Sequence, residues 1–589
     1  MANNLLAALL VRKQRGYKPL PDVSTEKSTP AVRWRLPDKK WTARVVICCC
    51  IILFWYTLQQ LLPLVDYPPT SPHRSTLRPV LHFTPERGWS NDPNGLFLDN
   101  NPDSIRPDFS RMQWGHATSR NLHTWTHHPI AIPSLDESIF SGSVIVDTSN
   151  TSGLFPASPS AASNDNVVAL YTDHTRYEEV QALAYSFDNG HTFHKHPANP
   201  IIRRLPPNHN FRDPKVIWHA ETGKWVMAVG WAHEQIIGIY TSPNLLNWTL
   251  KSMWSNAALI RTRPNFECPN LVPIPVLNAT TGDVDETEEQ MWVLFLSSGS
   301  KSPLNGGSVT RYFPGTFDGE KFTASNDCVE ANCFVDFGPD DYASQVFHGT
   351  EEGGPILSIG WASNLAYAAS VPTGPREGYR GVMTLPRTGY LVRDDGGKYQ
   401  YVSQPYNLDA LKTEMLADFP RTRDGEIKVP LAREEAEIGA VLLEAKISLP
   451  AVSEGLGRNI PSTSVVFAFA SSSGDVVDCT LLFESSHNAS DFLCDRSAAM
   501  GGYRMDRQMR TMSTKSLPKM VRYDGQGMWK VQTVLDRSVL EVYLNDGLRV
   551  GTMALFPTEA FDTVTVAVQG FSGVEGVDFR VWSLSAAAR

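Results

Sequence analysis

The sequence predicts an all-β protein in which a propeller of small sheets precedes a β-sandwich, with a transmembrane helix near the N-terminus. Three observations support this fold class. Short alternating or apolar runs recur every ~8–12 residues from about residue 80. Strands with cleaner alternation resume after about residue 435, and a long apolar run follows a basic leader. Long segments with a helical 3.6-residue period are almost absent from the body of the chain.

The N-terminal region has the pattern of a membrane anchor. Residues 1–44 hold ten Lys and Arg against three acidic residues, and residues 45–65 are apolar at 17 of 21 positions. Such a helix can cross a ~30 Å hydrocarbon core, and its basic flank favours a cytosolic N-terminus. We predict a cytosolic tail (1–44), an uncleaved anchor (45–65) and a Pro/Ser-rich stalk (66–79). The alternative is a buried core helix, which Gln59 and Gln60 favour.

This topology predicts a single-pass type II membrane protein, with its body outside the cell or in a vacuolar or secretory lumen. Such a body would carry glycans, and N-x-Ser/Thr acceptors occur at Asn150, Asn247, Asn278 and Asn488.

Cysteine usage leaves several roles open. Three cysteines, at 48–50, lie in the anchor, where they pack or carry lipid. The other five allow the bridges Cys479–Cys494 and Cys328–Cys333, and pairing within the chain leaves at least one thiol free.

The strands of the first half recur as units that share a turn. Its loose form, S-x-D/N-x-x-x-W/F, occurs at Ser119–Trp125, Ser186–Phe193 and Ser242–Trp248. Recurring four-stranded blades explain this repetition. We place the propeller at 80–410, a polar, partly helical connector at 411–435 and the sandwich at 436–589. Clean alternation in the last segment is typical of sheets with one face in water.

Composition narrows the function. With a pI near 5.9 and no basic stripe in the body, nucleic acid is not an expected partner. No HExxH or CxxC pattern occurs, so we predict no metal site and no cofactor. The 15 Trp and 26 Phe suit large buried faces or a sugar-stacking cleft. The oligomeric state is left open.

Three segments place carboxylates beside proline, an aromatic residue and an amide or guanidinium. They are "WSNDPNG" with Asp92, "FRDPK" with Asp213 and "FECPN" with Glu267. One such segment alone is more often just a turn, but three together indicate chemistry. A retaining glycosidase needs two carboxyl groups ~5–5.5 Å apart, one as nucleophile and one as general acid/base.

These three motifs, in this order, resemble the signature of glycoside hydrolase family 32, which comprises invertases, inulinases and fructosyltransferases. The resemblance covers roughly residues 80–589 and extends to the segments Trp114–Trp125, Phe140–Asp147, Gly306–Gly319, Trp361–Tyr367, Leu493–Ser497 and Leu535–Gly547. It implies a five-bladed β-propeller catalytic domain with an axial funnel, followed by a β-sandwich, and an activity that needs no metal.

The resemblance also implies residue roles. Asp92 would attack the anomeric carbon of fructose, Glu267 would protonate the leaving oxygen and then activate water, and Asp213 would bind fructose hydroxyls. The residues implied to bind substrate are Trp89, Asn91, Trp114, Phe140, Ser141, Arg212 and Trp361. For Trp114 and Trp361, core packing is an equally good interpretation.

The chain departs from the family pattern after "GLFLDN". Members continue with an aromatic strand that ends in Asn-Pro and carries a substrate-contacting Gln, whereas here Asn101-Pro102 follows directly. Either the gene model omits a short coding piece, which we favour because all three carboxylate motifs are intact, or the pocket is damaged. A lost strand would expose an edge and displace the support of Asp92. A second departure is Leu365, where the family often has an aromatic residue.

We therefore predict a membrane-anchored retaining β-fructofuranosidase that hydrolyses sucrose and possibly short fructans. Within the same class, a fructosyltransferase would pass the fructosyl group to a sugar instead of water. The alternative from another class is a catalytically impaired fructan-binding membrane protein, which the missing strand favours.

Overall fold

The computed structural model describes residues 77–586, with gaps at 98–107, 110–111, 135–136, 157–165, 257–258, 260–263, 279–289, 300–303, 305–306, 327–332, 352, 395, 432–438, 449–462, 484–489, 515–527 and 572–575. The predicted tail and anchor, and the stalk up to residue 76, lie outside this part of the chain. None of the helices within the described part is long and apolar enough to cross a membrane.

Residues 108–405 form five consecutive antiparallel sheets, rich in the β-branched and aromatic residues that favour strands. The first sheet holds β2 (Asp108–Phe109), β3 (Met112–Thr118) and β4 (Thr126–Ile132). The second holds β5 (Ser138–Val146), β6 (Val167–His174), β7 (Glu179–Ser186) and β8 (His194–Lys195). The third holds β9 (Phe211–His219), β10 (Lys224–Trp231), β11 (Ile236–Ser242) and β12 (Thr249–Trp254). The fourth holds β13 (Glu267–Ile274), β14 (Met291–Ser298), β15 (Val309–Phe317) and β16 (Phe322–Ala324). The fifth holds β17 (Tyr342–Val346), β18 (Ile356–Trp361), β20 (Arg387–Arg393) and β21 (Tyr399–Pro405).

The first strands of successive sheets form an inner row. Strand β5 contacts β9, β9 contacts β13, and β13 contacts β17. The segment before the first sheet joins this row, because Phe97 forms a parallel β-bridge with His348, just after β17. A two-residue strand β1 (Gly88–Trp89) also pairs in parallel with β19 (Tyr379–Arg380) beside the fifth sheet. Residues at the starts of the inner strands therefore lie close to the segment that follows β1.

The repeated turn predicted from the sequence joins the last two strands of the first three sheets. In each copy the serine hydroxyl and the Asp or Asn side chain accept backbone N–H groups of the turn. Ser186 accepts from Gly190 at 2.8 Å, and Asp188 accepts from Thr192 at 2.8 Å. Ser119 likewise accepts from the N–H of Leu122 at 2.7 Å, and Ser242 accepts from the N–H of Asn244 at 3.1 Å. Side-chain oxygens thus accept hydrogen bonds from turn N–H groups that have no strand partner at the ends of the sheets.

The first sheet differs from the others. It has three strands within the described part of the chain, whereas the other four have four. Its strand β2 is described over Asp108–Phe109 alone, with residues on both sides outside the described part. Residues 98–107, where the sequence departs from the family pattern, lie outside the described residues.

The C-terminal part is a sandwich of two six-stranded sheets, which confirms the all-β prediction with a C-terminal β-sandwich. One sheet has the order β22 (Lys412–Thr422), β33 (Gly576–Leu584), β24 (Ala440–Ser448), β29 (Met528–Asp536), β30 (Val539–Leu544) and β31 (Arg549–Ala554). The other has the order β23 (Gly425–Pro430), β32 (Thr563–Gln569), β25 (Thr463–Ala470), β26 (Val476–Phe483), β27 (Ser490–Asp495) and β28 (Thr511–Thr514).

The sandwich core comes from alternate residues of both sheets, such as Val465, Phe467 and Phe469 of β25, all fully buried. The predicted disulfide Cys479–Cys494 is confirmed and joins β26 to β27. Cys333 is also disulfide-bonded. Its predicted partner Cys328 lies outside the described residues, so that pairing stays a prediction.

The segment 411–435 is not the partly helical connector that its polar sequence suggests. Strands β22 and β23 lie at one edge of each sandwich sheet and join the two sheets directly. Their polarity reflects exposure, because an edge strand needs few buried side chains. The helices among the described residues are short: α1 (Thr373–Glu377) and single turns at Ala232–Glu234, Ala368–Ser370, Leu408–Leu411 and Arg507–Met509.

A buried ionic cluster connects the fifth sheet to the sandwich. Arg387 of β20 forms ion pairs with Asp336 at 3.0 Å and with Glu541 of β30 at 3.1 Å. His82 is also buried there and bonds to Asp536 at 2.8 Å. Because burying such groups is costly unless each is paired, the cluster fixes how the two parts meet.

Candidate active site

Asp92 lies in the turn that follows β1 and is held by side chains from two directions. Asn91 donates to its Oδ1 at 3.0 Å, and Ser141 of β5 donates to its Oδ2 at 2.7 Å. Trp89 donates to Asn91 Oδ1 at 3.1 Å and so orients the amide. Asn94 bonds the Asp92 carbonyl at 2.8 Å and accepts from the N–H of Gly142 at 3.1 Å. The crowded heptad is therefore a turn whose side chains present one carboxylate.

Asp213 lies near the start of β9 in an unusual backbone conformation. Its φ is +66°, in the left-handed region that non-glycine residues rarely adopt. The N–H of Asp213 donates to Thr172 Oγ1 at 2.9 Å, and its Oδ2 accepts from the N–H of Cys268 at 3.0 Å. Such strain persists where the surroundings fix it and is typical of functional sites.

Glu267 begins β13 and accepts hydrogen bonds at both oxygens. Arg212 donates to its Oε1 at 3.0 Å, and the Tyr342 hydroxyl donates to its Oε2. Arg212 also donates to both oxygens of Glu179, at 2.8 and 2.9 Å. One guanidinium therefore joins a buried structural carboxylate to Glu267.

The three acidic residues share a cavity of about 240 Å³. The side chains that line it are Asn91, Asp92, Asn94, Met112, Ile139, Phe140, Ser141, Arg212, Asp213, Glu267, Cys268, Tyr342 and Leu365. Two apolar side chains in this wall, Met112 and Leu365, are 39% and 47% exposed. The cavity is thus acidic where the three motifs meet and also has exposed apolar wall.

Burial and mutual repulsion raise the pKa values of the two aspartates. The pKa of Asp92 is raised by burial and by the charge of Glu267, against the hydrogen bonds from Asn91 and Ser141. Burial raises the pKa of Asp213 to about 7, helped by the charges of Asp92 and Glu267 and opposed by Arg212. Like charges in one site resist joint ionisation, so Asp213 stays partly protonated near neutral pH.

Cys268 is a buried free thiol between the two aspartates. Its Sγ lies 3.6 Å from Asp92 Oδ2 and 3.7 Å from Asp213 Oδ2. Burial, followed by the nearby carboxylates, raises the pKa of the thiol well above its usual value. The thiol therefore stays protonated and acts as a weak donor in the cavity wall.

Most of the residues predicted to bind substrate lie in or beside this cavity. Asn91, Phe140, Ser141 and Arg212 line it, and Trp89 lies behind Asn91.

The indoles of Trp114 and Trp361 do not line the cavity. They are 3% and 0% exposed; Trp114 donates to the Phe140 carbonyl, and Trp361 packs near Trp89. This burial does not match the prediction that their ring faces contact sugar. It fits the alternative prediction that both are core residues.

Sequence reasoning missed Tyr342 and Glu179 as parts of the site. Tyr342 follows two buried aspartates, Asp340 and Asp341, and an acidic pair inside an apolar strand region was the available signal. Glu179 gave no signal, because its role depends on Arg212, which the fold brings to it from 33 residues away.

The predicted glycan acceptors differ in exposure. Asn247 and Asn278 are exposed, whereas Asn150 is partly buried and donates to the Phe155 carbonyl at 2.8 Å. Asn488 lies outside the described residues.

One cluster of His and Glu in the described part of the chain has ligand atoms close enough to hold a metal ion. It consists of His174, Glu179 and His209, whose ligand atoms all lie within 4.8 Å of one another. Glu179 connects this cluster to the cavity through Arg212.

Comparison with known proteins gives consistent matches. The family "Glycosyl hydrolases family 32 N-terminal domain" matches residues 82–405, and "Glycosyl hydrolases family 32 C terminal" matches residues 442–583. The chain is 30% identical over 557 residues to an invertase of Wickerhamomyces anomalus, covering 88% of this chain and 98% of the relative. It is 38% identical over 322 residues to an extracellular exo-inulinase of Meyerozyma guilliermondii, covering 53% of this chain and 58% of the relative.

Among solved structures, the chain is similar to the β-fructofuranosidase of Schwanniomyces occidentalis complexed with fructosyl-erythritol. The TM-score is 0.73 at 30% identity, and the match covers 86% of this chain and 98% of that chain.

Proposed function

The chain belongs to glycoside hydrolase family 32 and is an invertase-like hydrolase, and we propose that it hydrolyses sucrose and short fructans through a fructosyl-enzyme intermediate with retention of configuration. One observation carries the proposal: Asp92, Asp213 and Glu267 line a single cavity, although they are far apart in sequence. In this proposal the five sheets are the blades of a propeller, within the predicted domain 80–410.

In the first step, Asp92 attacks the anomeric carbon of the fructosyl unit. A bond forms between its carboxylate oxygen and that carbon while the bond to the leaving sugar's oxygen breaks, and Glu267 gives its proton to that oxygen. The nucleophile must be ionised, and the hydrogen bonds from Asn91 and Ser141 favour its charged form.

In the second step, Glu267 takes a proton from water as the water oxygen attacks the same carbon and Asp92 leaves. The geometry suits this base role, because Arg212 and Tyr342 both donate to an ionised Glu267. Asp213 lies close to the charges of Asp92 and Glu267. It binds fructose hydroxyls and stabilises the positive charge that develops on the ring.

Variants of the two reacting carboxylates test this mechanism in the full chain. We expect Glu267→Gln to lower kcat on sucrose by ~10²–10⁴-fold, the usual contribution of a general acid/base, and to accumulate a fructosyl adduct on Asp92. Asp92→Asn should show neither turnover nor adduct, while the exposed Glu221→Gln should match the parent. An Asp92→Asn variant with parental kcat would refute the proposal.

Product analysis on concentrated sucrose separates hydrolysis from transfer. Hydrolysis gives glucose and free fructose in equal amounts. Kestose-type products with little free fructose would instead identify a fructosyltransferase, which uses the same fructosyl-enzyme.

We also propose that residues 45–65 anchor the chain as a type II membrane protein with the catalytic domain outside the cytosol. The disulfide Cys479–Cys494 and the exposed acceptors Asn247 and Asn278 support a secretory compartment. Endoglycosidase should increase the mobility of the full chain in gel electrophoresis, and an unglycosylated full-length chain would contradict this topology.

A further inference from the structure

Behind one wall of the cavity lie two imidazoles and a carboxylate that no step of the proposed mechanism uses. His174 ends β6, Glu179 begins β7, and His209 is in the exposed loop before β9. We propose that His174, Glu179 and His209 bind a divalent transition-metal ion such as Zn²⁺, and that this ion inhibits the enzyme. The proposal concerns inhibition, since nothing in the hydrolytic chemistry requires a metal.

The distances suit a tetrahedral ion. With metal–ligand bonds of ~2.0–2.1 Å, neighbouring ligand atoms lie ~3.3 Å apart. His174 Nδ1 and Glu179 Oε1 are 3.2 Å apart, so this edge is already formed. The rings of His174 and His209 have centroids 5.1 Å apart, and the ligand atoms of all three residues lie within 4.8 Å. A modest rotation of the exposed His209 would therefore complete a three-ligand site, with water as the fourth ligand.

Contacts around the cluster fix two of the ligands and keep the third near. Glu179 Oε2 accepts from the N–H of Phe211 at 2.9 Å, which orients the carboxylate. The His174 ring stacks on Phe140 with centroids 4.3 Å apart. The Asn208 carbonyl accepts from the N–H of Glu179 at 2.8 Å, so the loop that carries His209 is fastened beside the carboxylate. Outer contacts of this kind orient metal ligands, and imidazole suits zinc, copper and nickel.

Arg212 links this cluster to catalysis. Its Nη1 donates to Glu179 Oε1 at 2.8 Å, and its Nη2 donates to Glu267 Oε1 at 3.0 Å. An ion on Glu179 Oε1 would place two positive charges close to the guanidinium and compete for the same oxygen. The guanidinium would then move or lose its alignment, and Glu267 would lose a donor. Because Arg212 also lines the cavity, the ion should lower kcat and raise KM together.

Calorimetric titration of the full chain with ZnCl₂ tests binding without any dependence on sucrose turnover. We expect His209→Ala to remove one zinc site per chain or to weaken it at least ~10-fold, as losses around metal sites usually do. His194→Ala, an exposed histidine at the outer edge of the same sheet, should bind zinc as the parent does. Equal zinc binding by parent and His209→Ala would overturn the site.

Activity assays test the inhibition, which rests on the proposed hydrolysis of sucrose. ZnCl₂ should inhibit the parent reversibly, with recovery on adding EDTA, and the half-inhibitory concentration should rise at least ~10-fold in His209→Ala. Without metal, His209→Ala should match the parent. If zinc does not inhibit the parent, the inhibitory role is overturned. It is also overturned if zinc inhibits His209→Ala as strongly as the parent, because the inhibiting ion would then bind at Cys268 or the catalytic carboxylates. If the chain binds zinc through His209 but leaves sucrose intact, the proposed function fails and the site stands.

Discussion

Removing the hydroxyl of Ser141 should shift the pH dependence of the enzyme in a definite direction. Ser141 Oγ donates to Asp92 Oδ2 at 2.7 Å, and this bond stabilises the ionised carboxylate against a burial that raises its pKa. In the proposed mechanism Asp92 must be ionised to attack, so activity is present above its pKa and is lost as the pH falls through it. In Ser141→Ala the pKa of Asp92 rises, and the acidic limb of the profile should move to higher pH.

The size of the shift follows from the bond that is lost. A hydrogen bond to a charged group contributes ~1.5–3 kcal/mol, and one pKa unit corresponds to ~1.36 kcal/mol. The acidic limb should therefore move upward by ~1–2 units, with the three coupled carboxyl groups sharing the change. Asn91, which bonds the other oxygen of Asp92 at 3.0 Å, limits the effect.

The assay is kcat/KM for sucrose as a function of pH, for the parent, Ser141→Ala and Ser252→Ala. Ser252 is a matched control because it is also a strand serine with one hydrogen bond, to the Glu320 carbonyl at 2.6 Å, away from the cavity. An acidic limb that stays in place while activity falls equally at every pH would refute the electrostatic reasoning. Ser141 would then only position the carboxylate.

Three further predictions concern stability. Burial works to lower the pKa of His82, but the hydrogen bond that the ring donates to Asp536 and the nearby carboxylate of Glu541 prevail and raise it from 6.5 to about 9. The histidine should stabilise the fold fully below pH 6.5 and lose this effect as the pH rises through about 9, so His82→Gln should flatten thermal stability over that window. Arg387→Met removes the cation that pairs with the buried carboxylates of Asp336 and Glu541. The change should cost ~3–5 kcal/mol, measured by chemical denaturation, whereas a loss below 1 kcal/mol would contradict the ion-pair argument. Replacing both Cys479 and Cys494 by Ser should lower stability by ~2–4 kcal/mol, and an unchanged unfolding midpoint would show that the bridge constrains little.

The sequence predicted which segments form strands better than it predicted which strands pair with each other. Period-2 alternation and the recurring turn at Ser119, Ser186 and Ser242 report local geometry, and local geometry is what a short window of residues determines. The segment 411–435 was misread because an edge strand buries too little to show alternation. Polarity alone cannot distinguish such a strand from a loop.

The three carboxylates of the cavity were predictable for a different reason. Asp92, Asp213 and Glu267 each lie in a short motif of unusual composition, and the resemblance rests on those motifs. Tyr342 and Glu179 complete the site through contacts across 75 and 33 residues, which no local pattern encodes. Trp114 and Trp361 show the converse, since aromatic residues near a motif serve the core as readily as the cavity.

A strand missing from the first sheet was expected to displace the support of Asp92, yet the described contacts of Asp92 lie elsewhere. Its oxygens are bonded by Asn91 of its own turn and by Ser141 of the second sheet. On one side of the turn, the backbone N–H of Ser90 donates to the Arg380 carbonyl at 2.9 Å, beside the fifth sheet. On the other side the turn is fastened through Gly142, which must be glycine because a Cβ there would lie 2.1 Å from the Leu170 carbonyl oxygen.

None of these contacts comes from the strands described for the first sheet. A lost strand would therefore affect the wall near Met112, and with it the fit of the leaving sugar, more than the ionisation or aim of Asp92. For this reason we expect the departure after "GLFLDN" to change substrate preference more than the capacity to hydrolyse. The interpretation as an impaired binding protein then rests on the missing substrate-contacting Gln of the family pattern, and no longer on the support of Asp92.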